Sequence, residues 1–212
     1  PMLRNPMASI CLSSDILDKK VTLHVTDQLD TYINIIKRST KTLNNLVSDL
    51  LSSSNYSPAR LEKCCLASTI DKALEDAQDR IYLTGVSVEK KYESPRYIYA
   101  DPDKLKIALL NLIVNASEAM EPEKGKLTLD IQKQKDSYTL SIIDNGCGMD
   151  KEQLERLFDS FYTQKPNGMG IGLSSVKNIL DEHGATIKVE SKLKKGTAFH
   201  LSFPCYEEVK GK

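Results

Sequence analysis

The chain has 212 residues, 40% of them apolar and 27% charged, with Lys plus Arg equal to Asp plus Glu at 29 each. This length allows one large domain or two small ones, and the ordinary composition excludes a disordered or fibrous protein. The overall charge is zero and the balance holds locally too, with six basic and five acidic groups in residues 1–55, which argues against a phosphate-neutralising surface and so against a nucleic-acid partner.

No apolar run approaches the roughly 18 residues of a bilayer span. The opening Pro1-Met2-Leu3-Arg4 builds no signal peptide. Five cysteines, odd in number and without C-x-x-C spacing, read as thiols of a reducing compartment, so a cytoplasmic location is expected.

The N-terminal region contains no Glu and no Gly and carries helical periodicity. Leu29, Ile33, Ile36, Thr40, Leu43, Val47 and Leu50 follow the alternating four-and-three step of a coiled-coil or bundle seam. Tyr32, Ile35, Leu46 and Leu51 widen it beyond the stripe of a lone surface helix. Met7, Ile10, Ser14, Leu17 and Val21 repeat the pattern more weakly, and Thr26 or Asp27 supplies an N-cap between the two segments. The pattern predicts an α-helical hairpin that two copies bury as a four-helix bundle, hence a homodimer. A helical appendage packed on its own domain is the alternative.

Ser52-Ser53-Ser54-Asn55-Tyr56-Ser57-Pro58 is polar and stops helices, so the boundary is drawn between domains 1–57 and 58–212. Beyond it the periodicities alternate. A helix is predicted over 68–82, strands over 87–92 and 97–100, and a long, nearly all-apolar helix over 104–120. Strands 126–134 and 138–144 follow, then helices 151–157 and 174–183, then a hairpin of strands 185–191 and 198–203. Adjacent strands with short turns and about three helices predict an α+β sandwich, a mixed sheet with its helices on one face. The order is not that of a doubly wound fold.

Two glycine clusters carry candidate chemistry, Asp144-Asn145-Gly146-Cys147-Gly148-Met149 and Gly168-Met169-Gly170-Ile171-Gly172-Leu173. Such glycines permit positive φ and let backbone N–H groups approach an anion, or else serve only as turns. The second cluster runs into a helix, whose N-terminus offers unpaired donors. Neither fits a P-loop or a dinucleotide fingerprint. Asn111 and Asn115 sit four apart on the long greasy helix. Unpartnered buried amides cost about 1–3 kcal/mol each, so the pair points to a polar site suited to Mg²⁺ or to a cap on a neighbouring loop.

Together these elements resemble the ATP-binding domain shared by gyrase and the histidine kinases, specifically that of the sensor histidine kinases, over about residues 60–205. Asn111 to Ala116 matches the N box, Asp144 to Met149 the first glycine box, and Leu157 to Lys165 the F box. Gly168 to Leu173 matches the second glycine box and Gly196-Thr197 the last short one. The hairpin is similar to the dimerisation and phosphoacceptor module, with Leu3-Arg4-Asn5-Pro6-Met7 matching the tail of the H box.

The resemblance implies ATP and Mg²⁺ as ligands. Asp144 would accept from the adenine amino group, with Gly146 and Gly148 letting the base lie close and Thr197 beside it. Asn115, helped by Asn111, would hold the metal. Phe158 and Phe161 would anchor a lid over 158–170, and Lys165 would reach the terminal phosphates. Gly168, Gly170, Gly172 and Leu173 would present N–H groups to them. Asn5 matches a position used in dephosphorylating the partner, a response-regulator receiver domain.

ATP-hydrolysing members of the superfamily place a Glu where Asn111 stands, so the resemblance implies a kinase over an ATPase. The acceptor His and its acidic neighbour would precede Leu3, where Pro1 and Met2 stand. The chain therefore reads as a fragment with an altered or truncated H box, or else as a degenerate protein, that binds ATP–Mg²⁺ but does not autophosphorylate normally. Glu118 takes the place of a basic phosphate contact. His24, His183 and His200 read as structural, His183 favourably placed at a helix end. A GHKL-type ATPase or Ser/Thr kinase, and a non-catalytic ATP-binding dimerisation module, stand as alternatives.

Overall fold

A computed structural model describes residues 58–93, 95–163, 165 and 170–206. All of these except Thr163 and Lys165 belong to one compact unit. The hairpin seam, the 52–57 linker, Asn5 and Gly168 lie outside the described residues.

In chain order the elements are β1 (Glu62–Cys65), α1 (Leu66–Asp76), α2 (Gln78–Thr84), β2 (Ser87–Lys91), β3 (Tyr97–Ala100) and α3 (Pro102–Ala119). There follow β4 (Lys126–Lys133), β5 (Ser137–Asp144), α4 (Lys151–Glu155), α5 (Gly172–Glu182), β6 (Thr186–Lys192) and β7 (Gly196–Pro204). The main sheet has the order β2-β4-β5-β7-β6, and β1 pairs with β3 in a second, small sheet. Within the main sheet β2 runs parallel to β4 and every other pairing is antiparallel. The mixed sheet of the α+β sandwich is therefore present.

Strict alternation sorts the two faces of the sheet. Leu127, Leu129, Leu140, Ile142, Leu201 and Phe203 are buried on the inner face. The outer face is polar, with Thr139 hydrogen-bonded to Ser202 and Ser141 to His200 Nδ1 across β5 and β7. On the inner side α3 packs between α1 and α5. Its Leu105, Leu109, Leu112 and Ile113 are fully buried, each such side chain contributing about 1.5–3 kcal/mol.

Local chemistry fixes the start of α3. Asp101 is the N-cap and Pro102 follows in the first turn; the Asp101 carboxylate accepts from Asp103 N–H at 3.2 Å, Lys104 N–H at 3.1 Å and Arg60 N–H at 3.0 Å. Burial pushes this carboxyl up, but the three backbone donors outweigh it and hold the group below the usual carboxylate range.

His183 is structural, as expected, and it reaches beyond its own helix end. It is buried at 5% exposure, its Nδ1 lies 2.6 Å from the Ile179 carbonyl, and its Nε2 accepts from Asp101 N–H at 2.9 Å. One neutral tautomer satisfies both contacts, so the ring is an uncharged link between the end of α5 and the start of α3.

The expected helix 68–82 is two helices. Ala77 is buried and makes the joint, and the second helix runs on to a left-handed C-cap at Gly85. The strand β1 was not anticipated at all. The expected helix 151–157 stops at Glu155, after an N-terminal capping box between Asp150 and Gln153.

Candidate functional site

The site is built around the C-terminal half of α3. Asn111, Asn115 and Ala119 are spaced four apart and so share one face. At a rise of about 1.5 Å per residue, eight residues place Asn111 about 12 Å along the axis from Ala119. Each end of this face meets a different glycine-rich segment.

At the Ala119 end, β5 delivers the loop Asp144–Met149. Cys147 N–H donates to the Ala119 carbonyl at 2.9 Å. A Cβ on Gly146 would lie 2.5 Å from that same oxygen, so only glycine lets the loop sit this close. Asn145 staples the loop to the start of β4, accepting from Lys126 N–H at 2.8 Å and donating to the Lys124 carbonyl at 3.0 Å. Gly148 has φ +66°, and a Cβ there would run into the Lys192 carbonyl.

Asp144 lies at the floor of this loop at 5% exposure. Its Oδ1 accepts from Gly146 N–H at 2.8 Å and from Thr197 N–H at 3.2 Å. The pairing of Asp144 with Thr197 across β5 and β7 sets the second of these contacts. Burial pushes the carboxyl up, and the two backbone donors only partly offset it. Both donors go to one oxygen, so Oδ2 is the one placed to serve a ligand.

At the Asn111 end, α5 begins at Gly172. Its N-cap position is Ile171, which provides no side-chain acceptor, and no acidic residue occupies the first turn. The helix start therefore presents N–H groups and the positive end of its dipole, as an anion site requires. The nearest atoms to a Cβ on Gly172 would be Asn111 Oδ1 at 3.9 Å and Cγ at 4.0 Å, so the Asn111 amide lies beside this helix start, within van der Waals reach of that position. Leu173 packs against the core.

The arrangement suits a divalent metal only in part. Among the described residues no group of three His, Cys, Asp or Glu side chains could hold an ion. The Asn111 and Asn115 amide oxygens are neutral hard donors, fitting Mg²⁺ when phosphates and water complete its shell.

The lid residues divide. Phe158 packs against the core, whereas Phe161 is 70% exposed and so does not anchor the segment there. Phe161 N–H donates to the Gly170 carbonyl at 2.9 Å. A Cβ on Gly170, at φ +68°, would lie 2.5 Å from the Phe161 carbonyl carbon. Phe161 and Gly170 thus hold the two ends of the intervening segment together. Lys165 is exposed, and its N–H donates to Thr163 Oγ1 at 3.1 Å. Glu118 pairs with Arg80 at 2.5 Å, which gives this carboxylate a structural partner.

Sequence reasoning missed two contributors, Asn145 as the loop staple and Ser191 beneath the loop. Ser191 accepts from Met149 N–H at 2.8 Å. Nothing in the sequence marks an isolated serine in a strand.

Comparison with known proteins is consistent with this geometry. Residues 100–207 match the family described as histidine kinase-, DNA gyrase B-, and HSP90-like ATPase, and residues 3–57 match the His Kinase A (phospho-acceptor) domain. Sporulation kinase D of Bacillus subtilis (strain 168) is 31% identical over 204 residues, covering 95% of this chain and 40% of that protein. Sensor histidine kinase ZraS of Escherichia coli (strain K12) is 31% identical over 208 residues, covering 95% of this chain and 43% of that protein. The chain thus spans about two fifths of the length of these relatives. The crystal structure of histidine kinase ThkA in complex with response regulator protein TrrA superposes with a TM-score of 0.72 at 26% identity, covering 96% of this chain and 59% of that one.

Proposed function

The chain belongs to the sensor histidine kinases, and on that premise we propose that it is the core of a two-component kinase, which binds ATP with Mg²⁺ and directs its γ-phosphoryl group to a histidine. The observation that carries this reading is the span along α3. The loop that carries a buried carboxylate meets α3 at Ala119 and an uncapped helix start faces it at Asn111, two points about 12 Å apart along the axis. That is the reach from a purine to the terminal phosphate of ATP.

In this reading Asp144 Oδ2 accepts from the adenine amino group, in the floor that Gly146, Gly148 and Thr197 shape. Gly168, Gly170, Gly172 and Leu173 offer N–H groups to the phosphates, and Phe158 holds the base of the lid against the core. Asn115, with Asn111 beside it, would hold the Mg²⁺, which supplies positive charge against the phosphates. Lys165 adds a cation as charge develops on transfer. Asn111 carries no carboxylate to take a proton from water. General-base help of about 10²–10⁴-fold is therefore missing from hydrolysis, and the phosphoryl group is conserved for a protein nucleophile.

The proposal extends to the rest of the chain and its partners. Residues 1–57 form the dimerising hairpin and 58–212 the ATP-binding domain, on the cytoplasmic side of the cell. The phosphoryl group passes on to an Asp of a response-regulator receiver domain, with Asn5 serving its later removal. Pro1 and Met2 stand where the acceptor His and its acidic neighbour belong, so residues 1–212 are expected to bind ATP without accepting phosphate. Proline has no imidazole nitrogen to attack phosphorus.

Incubation with γ-labelled ATP tests this. The chain should remain unlabelled, and a Pro1→His, Met2→Glu version should take up acid-labile label. Equal phosphate release from both without label would instead support an ATPase, and no label on either would favour a non-catalytic module.

A further inference from the structure

The β6–β7 hairpin holds a serine that the nucleotide reading does not use. Ser191 Oγ accepts from Met149 N–H at 2.8 Å, donates to the Gly196 carbonyl at 3.0 Å and lies 2.8 Å from Thr197 Oγ1. A hydroxyl has one proton and two lone pairs, so with the proton on Gly196 the Thr197 hydroxyl must be the donor to Ser191. All of its hydrogen-bonding capacity is then filled by groups of the hairpin and the glycine loop. The partners matter more than the number of bonds. Met149 closes the loop that begins at Asp144, and Thr197 N–H donates to Asp144 Oδ1 at 3.2 Å. The same hairpin meets the loop again where Lys194 N–H donates to the Cys147 carbonyl at 2.6 Å.

We propose that Ser191 is a positioning residue for base selection: it fixes the far end of the Asp144–Met149 loop and the Thr197 backbone, and thereby the direction in which the Asp144 carboxylate points. The proposal rests on the nucleotide reading above. A fixed carboxylate oxygen accepts from the amino group of adenine and repels the carbonyl oxygen that guanine presents at the same position. Once the hydroxyl is lost, Met149 N–H, the Gly196 carbonyl and the Thr197 hydroxyl each lose a hydrogen bond, and the loop must rearrange to replace them. The carboxylate can then turn, and discrimination between the two bases falls.

Equilibrium titrations of the full chain with ATP and with GTP, both with magnesium, test this for wild type, Ser191→Ala, Ser191→Cys and Ser191→Thr. Ser191→Ala is expected to lose about tenfold in ATP affinity and to lower the ATP-to-GTP affinity ratio by about tenfold. Ser191→Thr keeps the hydroxyl on a strand-compatible side chain and should restore the ratio. Ser191→Cys, close in shape but a weak hydrogen-bonder, should move the same way as Ser191→Ala and serves if the alanine variant does not fold.

An unchanged ratio in folded Ser191→Ala or Ser191→Cys overturns the positioning role. So does equal weakening of both nucleotides, which a merely structural residue would produce. Failure of the wild-type chain to bind ATP would instead overturn the nucleotide reading, and this proposal with it.

Discussion

Asp144→Asn will lower ATP affinity by about two orders of magnitude while leaving the fold at least as stable. The substitution keeps an oxygen at Oδ1, where Gly146 and Thr197 N–H groups converge. It puts an NH₂ at Oδ2, where the adenine amino group is expected to donate. Donor then faces donor in a buried site. A lost hydrogen bond to a charged group accounts for about 1.5–3 kcal/mol, or about 10- to 150-fold.

The stability arm has the opposite sign. Burial raises the folded-state pKa of Asp144, so its ionised form opposes folding above the unfolded pKa, and that opposition fades as pH falls through the raised folded value. Asparagine is neutral throughout. Thermal melting at neutral pH should show the variant unchanged or higher by about 2–4 °C, with the difference closing in acid. A variant that melts well below wild type at neutral pH would mean that the Asp144 charge stabilises the fold.

Gly196→Ala will destabilise the domain by about 3–5 kcal/mol or prevent its folding. Gly196 has φ +95°, and a Cβ there would overlap the Asp144 carbonyl and approach the Asn145 Cα at 2.8 Å. All of these are backbone atoms of the strand end that carries the candidate adenine contact. Relief would require breaking the Asp144–Thr197 pairing.

Gly184→Ala is the internal comparison. It also has positive φ, at +60°, but nothing lies within 4 Å of its Cβ position. It should cost only the left-handed conformation, about 1–2 kcal/mol. Chemical denaturation of both variants separates steric from conformational cost; equal losses would contradict the close approach at Gly196.

The parts of the site legible in the sequence are those where one residue type has few physical uses. Two amides four apart on an otherwise apolar helix demand partners, and α3 does turn Asn111 toward the start of α5. Alternating glycines demand close backbone approach, which Gly146 and Gly148 make to Ala119 and Lys192. Strands with clean alternation, such as 138–144, could be placed almost to the residue because one face is buried and the other polar.

What could not be read depends on contacts between distant segments. The strand β1 is four residues, Glu62-Lys63-Cys64-Cys65, too short to show a period, and its pairing with β3 defines it. The joint at Ala77 has neither Gly nor Pro to announce it. The structural role of His183 at a helix end is legible, but its partner Asp101 lies 82 positions away in the sequence. Ser191 belongs to the same class. Three hydrogen bonds give it a place that residue type and spacing do not.

Calorimetric titration of the chain with ATP in the presence of magnesium tests the central claim most directly. The expected result is one saturable site per chain, with GTP bound at least about tenfold more weakly because Asp144 reads the base edge. Heats no larger than dilution up to millimolar ATP, or equal affinity for ATP and GTP, would contradict an adenine-nucleotide site at Asp144.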